Sequence, residues 1–168
     1  MNFLKTTVVA LLILGTVAQA STFEQNGVKE GNDRISVTLL TTVPDEGDNR
    51  ITIQAQYGRF LTNDFELLLE GNSYLFGSDT SLTTVGLGAN YYFAKTPVLT
   101  PYIGAEAYLY HIKNGSKEDD LNGGDIHIGA HYFLSENAAV TPVIGSQFVD
   151  FTDYTQSYAN IYLTYFFN

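Results

Sequence analysis

From Arg34 to the C-terminus the chain alternates apolar and polar positions in segments about ten residues long, separated by turn residues. A period of two sends successive side chains to opposite faces of a strand, so the pattern predicts β-structure throughout and no long helix. Eight segments can be counted. Arg34–Val43 sets Ile35, Val37 and Leu39 against Ser36 and Thr38, and Arg50–Leu61 sets Ile51, Ile53, Ala55 and Tyr57 against Thr52, Gln54, Gln56 and Gly58. Phe65–Leu75 opposes Phe65, Leu67 and Leu69 to Glu66, Leu68, Glu70 and Asn72, and Leu82–Phe93 opposes Val85, Leu87, Ala89, Tyr91 and Phe93 to Thr84, Gly86, Gly88, Asn90 and Tyr92. The fifth segment, Thr100–Tyr110, carries Glu106 on its polar phase. The sixth, Asp125–Phe133, carries His127, Gly129 and His131 there; the seventh, Val140–Val149, carries Gln147, and Tyr158–Phe167 completes the set.

The connections alternate in length. "PDEGDN", "FGSDTS", "KNGSKEDDLNGG" and "DFTDYTQS" are the longer ones, and "TND", "AKTP" and "SENA" the shorter. Short turns on one rim and long loops on the other are the layout of a transmembrane β-barrel, with the short turns on the periplasmic side. A weak internal repeat, "GANYYFAKTPVLTPYIGAE" against "GAHYFLSENAAVTPVIGSQ", supports a meander in which each strand pairs with the next. The expected fold is therefore an all-β, eight-stranded antiparallel up-and-down transmembrane barrel.

The polar phases, assigned strand by strand, place Glu66, Glu70, Glu106, His127, His131, Arg34, Gln54, Gln56 and Gln147 together on the inner face as a lumen network. A charge facing lipid near the midplane costs about 2–4 kcal/mol for Lys or Arg and somewhat less for a carboxylate, so these residues belong inside. A soluble barrel would have the opposite sense, with these carboxylates on its surface. Two further patterns favour the membrane. Gly58, Gly86, Gly88, Gly104, Gly129 and Gly145 recur on the inner phase, where a narrow barrel needs room for large side chains. Tyr57, Phe65, Tyr91, Phe93, Tyr132, Tyr165 and Phe167 sit on the outer phase next to the short turns, as a girdle at one interface would.

The N-terminus agrees with export. Residues 1–20, MNFLKTTVVALLILGTVAQA, combine Lys5, an apolar run from Val8 to Val17 and Ala18-Gln19-Ala20, the three parts of a signal peptide. Residues 21–33 are a polar, glycine-containing leader, and 34–168 are the barrel domain. The chain has no cysteine, which excludes disulfides, thiolate metal sites and a lipoprotein anchor. A formal net charge of -10 argues against nucleic acid as a partner.

From Arg34 to Asn168 the chain resembles the small outer-membrane β-barrels of Gram-negative bacteria, the OmpA/OmpX-like barrel domain family. The most specific part is the last strand, "ANIYLTYFFN", in which Ile161, Leu163, Tyr165 and Phe167 match the alternating, aromatic-ended signal the family presents to the barrel-assembly machinery. The resemblance implies an outer-membrane location, a lipid surround, assembly by that machinery and a monomer. With the last strand at the end of the sequence, the peptidoglycan-binding domain of some larger relatives is not expected.

The candidate chemistry is sparse. An eight-stranded barrel is about filled by its own side chains, which disfavours a wide pore. Counting from the turns puts Glu106 level with His127 and Arg34 near Glu66, so a Glu106–His127 pair is expected. No His-x-Ser pair of a lipid-deacylating barrel exists: His111, His127 and His131 are followed two residues on by Lys113, Gly129 and Phe133. The run Glu118, Asp119, Asp120 with Asp125 fits no calcium-loop template and reads as a solvated loop. The expectation is a non-enzymatic structural and surface protein without cofactor or metal, whose exposed loops, chiefly Lys113–Gly124 and Asp150–Ser157, meet a ligand the sequence does not name. The alternatives are a narrow channel for small solutes or ions through a Glu- and His-lined lumen, and a lipid-modifying outer-membrane enzyme.

Overall fold

The structure is a computed structural model that describes residues 27–42, 50–76, 80–149 and 154–168. The expected signal peptide, the first half of the leader, the whole of "PDEGDN" and parts of "FGSDTS" and "DFTDYTQS" lie outside the described residues.

Eight strands follow one another: β1 (Asp33–Thr42), β2 (Arg50–Phe60), β3 (Phe65–Phe76), β4 (Thr80–Tyr92), β5 (Leu99–Asn114), β6 (Lys117–Phe133), β7 (Ala138–Val149) and β8 (Tyr154–Phe167). They close in sequence order into a single antiparallel barrel. All ladders join sequence neighbours except the closing one, β1 to β8, which runs only from Asp33↔Phe167 to Val37↔Leu163. Closure matters because a strand edge left open in hydrocarbon exposes backbone groups that nothing else can satisfy.

Alternation fixes which way the wall faces. Leu39, Val85, Leu87, Leu109, Ile126, Ile144 and Leu163 are among the large apolar side chains that point outward and stay exposed, whereas Arg34, Glu66, Thr100, His131 and Thr141 point inward with none of their surface accessible. This is the inverse of a water-soluble core and the sense expected of a wall bathed in lipid. Outward Tyr57, Phe65, Tyr91, Phe93 and Tyr165 cluster at the short-turn end.

The largest departure from expectation is at "KNGSKEDDLNGG". No loop exists there. β5 and β6 continue to Asn114 and Lys117 and are joined by a two-residue turn in which Gly115 adopts φ 59°. Polar residues on both faces hide the alternation, but Gly115-Ser116, with glycine at the first central position, suits a two-residue hairpin turn, and β4 supplies ladder partners up to Thr80↔Asn114. Asn114 lies five positions beyond Leu109, the last large apolar outward residue of β5, so the hairpin rises about 15 Å along the strand past the apolar band. Similarly β8 begins at Tyr154, four residues before the expected start, so Tyr154–Ser157 is strand rather than loop.

The short-turn end is also more ordered than a free leader would be. Gly31 N–H donates to Phe60 O and Phe60 N–H to Asn32 O, while Asn32 Nδ2 donates to Gly27 O. Val28 packs on a buried cluster of Phe60, Tyr92, Tyr102, Phe133, Ala139, Val143, Tyr162 and Phe166. Residues 27–32 therefore cover this end of the lumen.

Inner glycines make room for the polar layer above that cluster. A Cβ built at Gly58 would overlap the Glu66 carboxylate and meet the Arg34 stem, and neither side chain has exposed volume into which to retreat. Gly58→Ala should therefore cost about 1–3 kcal/mol. Gly71→Ala, where nothing lies within 4 Å of the added carbon, should change stability far less. Urea unfolding in phospholipid vesicles, followed by far-ultraviolet circular dichroism, checks both; equal losses would refute the packing argument.

Candidate functional site

Three layers fill the lumen above the aromatic cluster. In the lowest, Arg34 from β1 grips Glu66 from β3 through two bonds, Nε to Oε1 at 2.5 Å and Nη2 to Oε2 at 3.2 Å. Its third nitrogen, Nη1, donates to Ser36 Oγ and Gln56 Oε1. Glu66 Oε2 accepts further bonds from Asn90 Nδ2 at 2.8 Å and from the Tyr92 hydroxyl at 2.7 Å. His131 sits beside them, between the Tyr92 hydroxyl at 3.1 Å and Thr141 Oγ1 at 2.8 Å, and Thr141, Thr164 and Ser36 complete a hydroxyl chain. A buried ion pair survives desolvation only when its remaining donors and acceptors are also bonded, and this one is.

The middle layer holds more acid. Glu70 accepts from Gln56 Nε2, from Asn72 Nδ2 at 2.7 Å and from the Tyr108 hydroxyl at 3.1 Å. Asp125 Oδ2 accepts from the Tyr158 hydroxyl. His127 Nδ1 faces Asp125 Oδ1 at 3.0 Å and its Nε2 faces Asn90 Oδ1 at 2.8 Å. Glu106 is directly opposite Asp125 across the β5–β6 ladder, and its Oε2 has no hydrogen-bond partner. In the upper layer Gln54 Nε2 donates to Tyr74 and Gln147 Nε2 to Tyr110.

The expected lumen residues thus fall in one connected interior, though not in the expected pairs. Arg34 meets Glu66. His127 gives its two ring nitrogens to Asp125 and Asn90, and Glu106 stands alongside without bonding to it. The sequence pattern groups Asp125 with the acidic run, but the structure separates them: Asp125 points into the lumen, while Glu118, Asp119 and Asp120 lie exposed on the hairpin. Its position two residues before His127 puts it on the same strand face, a signal present in the alternation. Tyr92, Tyr108 and Tyr158 join the network without belonging to the expected set, because their hydroxyls act as polar groups while their rings count as apolar. His111 is on the hairpin, with Nδ1 2.8 Å from Asp120 Oδ1, both well exposed. His127 and His131 are buried in the lumen, and the outward His111 has the Asp120 carboxylate beside it.

The same architecture occurs in solved structures. The N-terminal β-barrel domain of Pseudomonas aeruginosa OprF superposes with a TM-score of 0.66 at 21% identity, over 82% of this chain and 98% of that one. The fold is that of the small outer-membrane β-barrels. Neisserial surface protein A matches with a TM-score of 0.55 at 15% identity over 80% of this chain and 94% of that one, and the attachment invasion locus protein Ail of Yersinia pestis with 0.53 at 13% identity over 82% and 99%. No protein-family model and no curated protein sequence matches the chain. The likeness therefore resides in the fold rather than in residues.

Proposed function

We propose that this outer-membrane-type barrel serves in the outer membrane as a non-enzymatic structural and surface protein, and that the β5–β6 hairpin is its chief contact element. The observation that carries the reading is a closed barrel with its large apolar side chains facing out and a hydrogen-bonded polar interior, from which one polar hairpin extends past the apolar band. Its structural neighbours include a protein named for the Neisserial surface and one named for attachment and invasion, which supports a surface role without identifying a ligand. Residues Lys113 and Lys117 flank the hairpin turn and are exposed, so trypsin added to intact cells should cut there. The expected outcome is recovery in the outer-membrane fraction, a band whose mobility changes on boiling, and a tryptic nick confined to the hairpin of whole cells. Recovery as a soluble periplasmic protein, or protection of both lysines on intact cells, would overturn the reading.

A channel through the lumen fits less well. The aromatic cluster at the short-turn end is 0–4% exposed, and residues 27–32 pack beneath it, so water has no standing column there. Planar-bilayer recordings should show no steady conductance; a stable open level would favour the channel.

A further inference from the structure

Glu106 and Asp125 are placed where two carboxylates should not be. They are direct cross-strand partners, both side chains turn inward, and each is more than nine-tenths buried. Like charges directly opposite one another destabilise a sheet even at a surface, and burial in a low-dielectric interior strengthens the repulsion. Among the described residues the lumen holds four buried carboxylates, Glu66, Glu70, Glu106 and Asp125, against one guanidinium, which Glu66 already occupies. Positive charge is missing from the middle layer.

The hydrogen bonds show where it belongs. Glu66, paired to Arg34, can only accept, so Asn90 must turn its Nδ2 toward Glu66 and its Oδ1 toward His127. Oδ1 can only accept as well, so the proton at that contact is on His127 Nε2. In the neutral ring Nδ1 is then a lone pair, and it points at Asp125 Oδ1, a second acceptor, 3.0 Å away. Something positive must stand between them, either a proton held by Nδ1 or by Oδ1, or a metal ion. A proton would satisfy that contact alone. It would leave Glu106 Oε2, 7% exposed as a residue and without any hydrogen-bond partner, still orphaned.

We infer that Glu106, Asp125 and His127 Nδ1 form a lumenal site for a divalent metal ion of the zinc class. One ligand atom from each of the three lies within 4.8 Å of the others. Zinc holds nitrogen and oxygen donors at about 2.0–2.2 Å, which sets neighbouring donors about 3.4 Å apart, so the three arms close by roughly an ångström around the ion. One imidazole with two carboxylates is a mixed set that suits such borderline ions better than magnesium or calcium, which favour oxygen alone. Asn90 fixes the ring through Nε2, and Tyr158 holds the distal oxygen of Asp125; these outer contacts orient the ligands. Glu106, Asp125 and His127 retain 7, 3 and 4% exposure, as Gln56 and Glu70 retain 6 and 4%, whereas Arg34 and Glu66 have none, so the site lies above the fully closed layer of the lumen.

The test is zinc titration of the folded protein in detergent micelles by competition with a chromophoric chelator, with nitrogen-15 spectra of the histidine side chains recorded alongside. One equivalent should bind, and the His127 Nδ1 resonance should move to a metal-bound position while Nε2 stays protonated. Glu106→Gln should weaken binding at least tenfold, and His111→Asn, on the exposed hairpin, should leave it unchanged. Absence of stoichiometric binding overturns the site, as does binding that is lost in His111→Asn and kept in Glu106→Gln. If Glu106→Gln fails to fold, the wild-type spectrum decides: zinc bound with an unmoved His127 Nδ1 signal would also overturn it.

Discussion

Replacing Arg34 by methionine should destabilise the barrel by about 3–5 kcal/mol, the largest loss expected of any single change in the lumen. Both partners of the Arg34–Glu66 pair have 0% side-chain exposure. Removing the guanidinium leaves a carboxylate in a dry interior with only the neutral donors of Asn90 and Tyr92 to hold its charge. It also strips Ser36 and Gln56 of a donor each, so the damage spreads along the hydroxyl chain to Thr164. The double variant Arg34→Met with Glu66→Met should regain part of the loss, because an apolar pair carries no uncompensated charge. It should not regain all of it, since the Asn90 amide would lose its acceptor. Unfolding in urea with phospholipid vesicles, read by circular dichroism because the chain has no tryptophan, measures each term. A single variant as stable as the parent would show that the pair contributes nothing.

How much of this was legible beforehand follows from what each contact depends on. The facing of β2, β3 and β4 rests on strict period two, and Gln54, Gln56, Glu66, Glu70 and Asn90 all turn inward as the alternation places them. Register across strands is different. It sets which inward residue meets which, and it comes from turn lengths and ladder closure that the pattern does not encode. Glu106 lies opposite Asp125, with His127 two residues further along β6, and that offset is why Glu106 stands beside the ring without bonding it. The hairpin of β5 and β6 was hidden for another reason. Residues exposed on both faces have no hydrophobic period, so Lys117–Asp120 carries loop composition in a strand held by ladder bonds and by the turn at Gly115. Outside the lumen, the Asp33 rim was likewise invisible: its carboxylate accepts from both Tyr57 Oη and Arg59 Nη1 at 2.7 Å, a contact that exists only because β1 and β2 pair Asp33 with Arg59.

Everything about function depends on which face of this wall meets lipid, and one substitution reads that directly. Leu87 lies in mid-strand on β4, between outward Leu69 of β3 and Ala107 of β5, and is 68% exposed. In a soluble barrel such a residue is a surface position, and Leu87→Arg would change stability by no more than about 0.5 kcal/mol. In a bilayer the same side chain sits near the midplane, and arginine there should cost about 2–4 kcal/mol. A lower figure would by itself be ambiguous, since a long side chain can bend toward the headgroups. The depth series removes that ambiguity. Tyr91 faces the same way on the same strand but lies next to the short-turn rim, where arginine costs about 0–1 kcal/mol. Only a hydrocarbon slab makes two equally outward positions unequal, because a soluble surface has no depth. Vesicle unfolding should therefore rank Leu87→Arg well below Tyr91→Arg; equal stabilities would place this apolar face against something other than lipid.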